Sequence, residues 1–317
     1  MRSKKADFNF VLLFAIVAGT AILVLSIYGA VRGGNLFRTA GQAEISASID
    51  VITDPLQAGS FAAVSSKISF RQDTRINNRC DDYLGFGKNY IAVESESSAL
   101  KDSANQLIEI PISNKYIFSE ESYGTDFRLF SKPFELPYRV SDLLFISTLN
   151  YCLVSPPEEI AEEIIGLNMP NFGVELAGNN TCEEDSIRVC FGYGEDCNMT
   201  VDGQCNDCDS EFEYGVVKKD GDSLYYAGNL LFGAIISDPD LYECNVKRLL
   251  FRTSMIANVY AQKTDLMNMR DCNTLLKTDL EVFGRMTLSA KLENLDELYD
   301  FAKSLDKKEN RESCKIW

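Results

Sequence analysis

Phe10-Val-Leu-Leu-Phe-Ala-Ile-Val-Ala-Gly-Thr-Ala-Ile-Leu-Val-Leu-Ser-Ile-Tyr-Gly-Ala-Val31 is an uncharged apolar stretch, and Arg2, Lys4 and Lys5 stand just before it. About 20 such residues, wound as a helix, match the hydrocarbon thickness of a bilayer. Each Leu, Ile, Val or Phe contributes roughly −0.3 to −0.6 kcal/mol near the bilayer centre, more than Thr20, Ser26 and the glycines take back. The stretch predicts a transmembrane helix over 8–31 behind a basic flank over 1–7. Basic flanks stay on the cytoplasmic side. The expected localisation is the cell membrane, single-pass, with the N-terminus cytoplasmic and the C-terminus outside. Arg32 and Arg38 oppose this orientation but are outnumbered by the first flank.

Two other readings share this start. A cleaved signal peptide has a shorter apolar core and a small-residue cleavage site, whereas this run ends in Tyr28-Gly-Ala-Val-Arg32. A prepilin-type leader has a short basic segment, a small residue and a long apolar helix. Lys4-Lys5-Ala6, followed by Asp7-Phe8-Asn9-Phe10-Val11, resembles the N-terminus of type IV pilin-like proteins. Ala6 stands there in place of the usual Gly, and Val11 in place of the usual Glu. All three readings export the bulk of the chain.

The 317 residues are 45% hydrophobic, ample for a packed core beyond the anchor. The formal charge is −16, from 47 acidic and 31 basic residues. Such a surface repels nucleic acid, whose binding rests on Lys and Arg neutralising phosphates. The expected partners are the lipid bilayer and other surface proteins or further copies of this chain. No nucleic-acid partner is expected.

The 10 cysteines are Cys80, Cys152, Cys182, Cys190, Cys197, Cys205, Cys208, Cys244, Cys272 and Cys314, all beyond the predicted anchor. Disulfides persist in oxidising compartments, and an even count permits complete pairing. Asn179 and Asn198 head N-x-Thr glycosylation acceptors. Five cysteines crowd into an insert at 179–210. Structural disulfides are the main expectation there. Zinc is a second reading, but thiolate sites of this kind normally pair two C-x-x-C motifs or add His. The insert has only Cys205-Asn-Asp-Cys208, and the chain has no histidine. A redox dithiol is the third; Asp202, Asp207, Asp209 and Glu211 would raise its thiol pKa.

Residues 36–53 carry Ile45, Ile49 and Ile52 at helical spacing and end at Asp54-Pro55, which predicts a helical stalk over 32–55. Short aromatic and β-branched runs predict strands at 67–71, 90–94, 115–119, 126–131, 143–147 and 151–154. Ser155-Pro-Pro-Glu158 predicts a helix start with Ser155 as N-cap, Pro156 as first helical residue and Glu158 closing a capping box. A strand at 172–176 then completes a strand–helix–strand unit. Asp220-Gly221 predicts a hairpin turn between 212–218 and 223–227, with 229–236 as an apolar continuation. Asp238-Pro239 opens a long helix to about Met269, and two further helices follow around Leu276–Phe283 and Leu292–Leu305. Short connections make helices antiparallel. A hairpin of the last two brings Cys272 to Cys314, so this pair is the predicted disulfide. It closes a loop of about 43 residues, worth ~4 kcal/mol in the chain-entropy model.

Catalytic signatures are sparse. Without histidine, Ser-His-Asp and Cys-His sites are excluded. Gly85-Phe-Gly-Lys88 lacks the spacing of a phosphate-cradling loop. Glu162 and Glu163 are adjacent and so point to different helix faces. The acidic run Glu195, Asp196, Asp202, Asp207, Asp209, Glu211 and Glu213 is mainly a solvated loop. Calcium is the alternative, because Asn198-x-Thr200-x-Asp202-Gly203 echoes the start of a calcium loop; position 12 would then be Asp209, not Glu. The expectation is a non-enzymatic protein with no catalytic, cofactor or metal residue assigned, calcium or zinc in the insert being the only cofactor options.

Leu241-Tyr-Glu-Cys-Asn-Val-Lys-Arg-Leu-Leu250, Tyr151-Cys-Leu-Val-Ser-Pro-Pro-Glu-Glu159, Lys4-Lys-Ala-Asp-Phe-Asn-Phe10 and the terminal Cys314-Lys-Ile-Trp317 are similar to segments of single-pass membrane proteins of small-genome archaea. The resemblance spans most of the chain. It implies a membrane-anchored protein and carries over no activity and no functional residue.

The expected fold class is α+β. A transmembrane helix and stalk lead to a mixed, mostly-β exported domain over 56–237 with its Cys-rich insert, then to C-terminal antiparallel helices over 238–317. The expected function is a disulfide-stabilised surface protein with a structural or interaction role, of which a pilin-like subunit is the specific form. An extracytoplasmic ligand-binding receptor or sensor is the alternative.

Overall fold

The computed structural model describes residues 18–28, 64–95, 109–167, 171–177, 179–194, 196–205, 210–270 and 272–317. Residues 18–28 form helix α1, and its Ile22, Leu23, Val24, Leu25 and Ile27 are all exposed. No helix among the described residues is long and apolar enough to cross a membrane. The rest of the predicted 8–31 span and the 32–55 stalk lie outside the described residues.

The remainder is mixed α+β, built on two sheets. The first has strand order β3-β2-β1-β5-β6-β4. It comprises β1 (Val64–Asp81), β2 (Lys88–Ser95), β3 (Ile110–Ile112), β4 (Tyr116–Ser119), β5 (Ser122–Glu135) and β6 (Arg139–Ser147). Its pairings are antiparallel except β4 with β6. Both faces of β4 and of the 143–147 half of β6 are buried. Phe118, Phe130, Leu143 and Phe145 enter the main core, while Ile117, Leu129, Leu144 and Ile146 enter a second cluster with Ile76, Ile91 and Phe127. Two-residue alternation sends neighbours to opposite faces, so a strand buried on both sides reads as a continuous apolar run, as Leu143–Ile146 does.

The second sheet has order β13-β12-β11-β10-β7-β8-β9. Its strands are β7 (Tyr151–Val154), β8 (Phe172–Leu176), β9 (Asn179–Asn180), β10 (Ile187–Phe191), β11 (Met199–Gly203), β12 (Tyr214–Lys219) and β13 (Asp222–Ala227). Parallel strands need a crossover, and α2 (Glu158–Leu167) supplies it between β7 and β8. The β12–β13 turn places Asp220 at φ 52° and Gly221 at φ 91°, the double left-handed geometry that Asp-Gly favours.

One local expectation is corrected. Ser155 does not cap α2: it sits at φ 53°, and the first helical bond runs from Ala161 N–H to Pro157 O. The second proline bars Pro156 from helical geometry and delays the helix start to Glu158. The apolar continuation at 229–236 forms helix α3 (Leu230–Ile236), every residue of which is buried. A short, fully apolar run has no period that separates a buried helix from a buried strand. The segment that echoes the start of a calcium loop, Asn198–Gly203, runs into strand β11 (Met199–Gly203), paired with β10 on one side and β12 on the other.

The C-terminal helices are α4 (Pro239–Asn268), α5 (Lys277–Ser289) and α6 (Leu295–Glu309). Pro239 starts α4 behind an extended Asp238. One core runs from Tyr116 through both sheets and all three helices to Ile316, so the 56–237 and 238–317 segments share their interior. Trp317 packs on Tyr138 and Tyr260, with ring centroids 5.6 and 5.8 Å away. Cys272 and Cys314 are bonded across the α5–α6 hairpin, the pair that the antiparallel argument selects.

Candidate functional site

Polar chemistry gathers at two internal seams. The first lies between α4 and the β1–β2 hairpin. Asn245 and Arg248 are three residues apart and share a helix face; both are fully buried beside Val246 and Leu249. The Arg248 Nε donates to Phe86 O at 2.7 Å. One terminal nitrogen donates to Asn89 Oδ1 at 2.6 Å and Asn245 Oδ1 at 2.8 Å, and approaches Cys80 Sγ at 3.9 Å. The other donates to Lys115 O at 3.1 Å. The guanidinium lies over the Tyr116 ring, 4.7 Å from its centroid. None of these acceptors is a carboxylate.

Burial pushes the Arg248 pKa down, against Tyr116, Asp81 and Asp82, yet a guanidinium remains charged in proteins. The Phe86 carbonyl it needs is presented by the β1–β2 turn. There Leu84, Gly85 and Gly87 all have positive φ, and Phe86 meets Phe251 of α4 edge-on at 4.8 Å. The Gly85-Phe-Gly-Lys88 segment is thus a latch onto α4. Cys80, the register partner of Asn89, is bonded to Cys244 of α4.

The second seam gathers the ends of β4, β6 and β12, the start of β7 and the α3–α4 junction. Glu120 Oε1 accepts from Ser147 Oγ and Tyr151 Oη, each at 2.9 Å. Burial raises the Glu120 carboxyl above its usual range, against those two hydrogen bonds. Burial also raises the Tyr151 phenol, with Glu120 adding to it. The buried Lys219 ammonium donates to Ile235 O at 3.1 Å and to Ser237 O. It thereby satisfies carbonyls at the C-terminal end of α3, where a cation also suits the helix dipole. Burial brings Lys219 down to about 8, opposed by Glu120 and Asp238. Asp238 is itself raised by burial, with Lys219 opposing. In this cluster burial disfavours the ionised form of each of the three groups, Glu120, Lys219 and Asp238.

The structure disperses the insert residues. Cys182 is bonded to Cys152, and Cys190 to Cys197. Cys205 is also disulfide-bonded, whereas Cys208, Asp207 and Asp209 lie outside the described residues. Cys152, Glu175 and Cys182 cluster closely enough for a metal, but both sulfurs are spent in the disulfide and Glu175 pairs with Arg188 at 2.8 Å. Asp202 pairs with Lys218 at 2.6 Å. Glu213 pairs with Lys303 of α6. Asn198 is exposed, and its Oδ1 accepts from Arg188 N at 2.8 Å. Asn179 lies on the edge strand β9.

Neither seam was singled out in the sequence, although each left a trace. Arg248 interrupts the apolar stripe of α4, and Lys219 shares the inward parity of Val217 on β12. Away from the seams, a groove of about 300 Å³ is lined by Met286, Lys291, Glu297 and Leu298. Another of about 140 Å³ lies between Gly85, Lys247, Phe251 and Leu288. No family model, curated protein or solved structure matches the chain, so its chemistry is read from its own residues.

Proposed function

We propose that this chain is a membrane-anchored, disulfide-stabilised surface protein with a structural or interaction role, its N-terminal apolar segment holding it in the bilayer. The observation that carries this reading is the agreement of two independent features. A basic flank precedes a long apolar segment at 10–31, and no described cysteine is free. The first feature argues for export and the second for an oxidising compartment. The polar seams fit a structural role, because their donors and acceptors face one another across packed elements and hold α3 and α4 in place.

A pilin-like subunit is the specific form, drawn from Lys4-Lys5-Ala6 and the segment that follows. Mass spectrometry of the mature N-terminus tests it. A chain beginning at Asp7 supports pilin-type processing, and an intact leader supports a plain anchor. Labelling of intact cells tests the topology. A cytosolic carboxyl end, or free thiols throughout, overturns the surface assignment.

A further inference from the structure

The Arg248 seam holds an imbalance: a fully buried cation whose hydrogen-bond acceptors are all neutral, with one nitrogen 3.9 Å from a disulfide sulfur. Asp81 and Asp82 act on it electrostatically, but no carboxylate among the described residues hydrogen-bonds it, and a buried charge without a bonded counter-charge is costly. A thiolate at Cys80 would supply that counter-charge in place, and a nearby guanidinium stabilises a thiolate over its thiol.

We propose that Cys80–Cys244 is an exchange-active disulfide in which Cys80 is the leaving sulfur, Arg248 is its counter-charge, and the substrate is an external dithiol. A thiolate of the dithiol attacks Cys244 Sγ. A mixed disulfide forms there as the Cys80–Cys244 bond breaks, and the electron pair leaves on Cys80 as thiolate. The second thiol, deprotonated, then attacks its own partner sulfur. It closes the external disulfide and releases Cys244, which takes up a proton. The dithiol loses two electrons and two protons. The protein disulfide gains the two electrons and one proton, and the other proton passes to solvent.

The surroundings favour this bond over Cys152–Cys182 and Cys190–Cys197, with the neutral Asn245 Oδ1 3.5 Å from Cys80 Sγ working against the thiolate. Cys80 and Cys244 are both partly exposed, whereas Cys152 and Cys190 are buried. The Cys152 sulfur lies 3.8 Å from Glu175 Oε2, a carboxylate that opposes a thiolate. The charged residues flanking the two cysteines in the chain are mostly committed. Arg79 pairs with Glu109, and Glu243 of α4 pairs with Lys247. Asp81 and Asp82 work against the thiolate, but Asp82 is exposed and Asp81 partly so. Lys88 is exposed opposite Asp81. Opening the bond leaves α4 attached, because Arg248 still holds Phe86 O, Asn89 and Lys115 O.

The full chain is equilibrated in graded mixtures of oxidised and reduced dithiothreitol, quenched, alkylated and mapped by mass spectrometry. Cys80 and Cys244 are expected to open at a less reducing poise than Cys152–Cys182 and Cys190–Cys197. In the partly reduced native chain, Cys80 alkylation should titrate below the ordinary thiol value of about 8.5 and below Cys244. Arg248→Gln should shift the exchange equilibrium roughly tenfold toward the disulfide, matching about one unit of thiol pKa. If Cys80–Cys244 opens with or after Cys152–Cys182, or if native Cys80 titrates at or above Cys244, the proposal fails. The titration uses the unaltered chain and decides the matter even where Arg248→Gln does not fold.

Discussion

Arg248 and Lys219 are both buried cations, and the molecule treats them in opposite ways. Arg248 sits among backbone and amide oxygens with no carboxylate acceptor. Lys219 sits on the last carbonyls of α3, within the field of Glu120 and Asp238. Guanidinium cannot shed its proton, so its seam must satisfy every donor by geometry. An ammonium shifts its pKa readily when buried, so the Lys219 seam accommodates burial by titrating. The α4 seam is therefore a fixed lock, and the α3 seam is a pH-responsive one.

The largest effect that would break this contrast is at the lock. Arg248→Met should destabilise the chain by ~3–5 kcal/mol, because it orphans several buried acceptors at once. Denaturant unfolding measures it. A loss below 1 kcal/mol would mean that the oxygens re-pair without the guanidinium and that the seam is not a lock. Next comes a restraint outside both seams. Replacing Cys272 and Cys314 by Ser together should lose ~2–4 kcal/mol, the typical range for a disulfide, with the chain-entropy value for this loop at its upper end. Its independence of both seams is tested by adding Arg248→Met, for which distant sites should sum.

At the responsive seam, Lys219→Met should lose ~1–2 kcal/mol near pH 7, since Ile235 O and Ser237 O lose their donor. The pH dependence is the sharper reading. The folded pKa of Lys219, about 8, lies below its unfolded value of about 10.4. Between these values the unfolded state holds the proton that the folded state has released. Stability therefore rises with pH through this window, and the advantage of wild type over Lys219→Met should grow across it. A constant difference from pH 7 to 10 would remove the titration argument.

The smallest effect is at Glu120. Its folded pKa is raised, so the stability it contributes is present below the unfolded value near 4.3 and is lost as pH rises through the folded value. Glu120→Gln retains an oxygen for Ser147 and Tyr151 and should stabilise by ~1 kcal/mol or less at pH 7. Wild-type and variant melting temperatures should converge in acid.

Elements with a strong local signature were legible. Asp220-Gly221 marks the β12–β13 turn, Asp238-Pro239 marks the α4 start, and the β7–α2–β8 unit follows from its alternation of run types. α3 was not legible, because Leu230–Ile236 carries no polar face to give it a period. Arg248 and Lys219 were legible only in retrospect, as charged residues at inward positions. What they touch comes from segments far away along the chain: Phe86, Asn89 and Lys115 for one, Ile235 and Ser237 for the other.

By itself the sequence determined the β7–α2–β8 unit, the β12–β13 hairpin with its tight turn, and the succession of the three C-terminal helices. It also brought Cys272 to Cys314, because hairpin geometry follows from periodicity and short loops. Only the tertiary structure decided that Cys80 meets Cys244 across 164 residues, that β4 and the end of β6 are covered on both faces, and that two cations lie buried with different partners. Those outcomes depend on how sheets and helices pack, and side-chain burial between distant segments leaves no period in a linear chain.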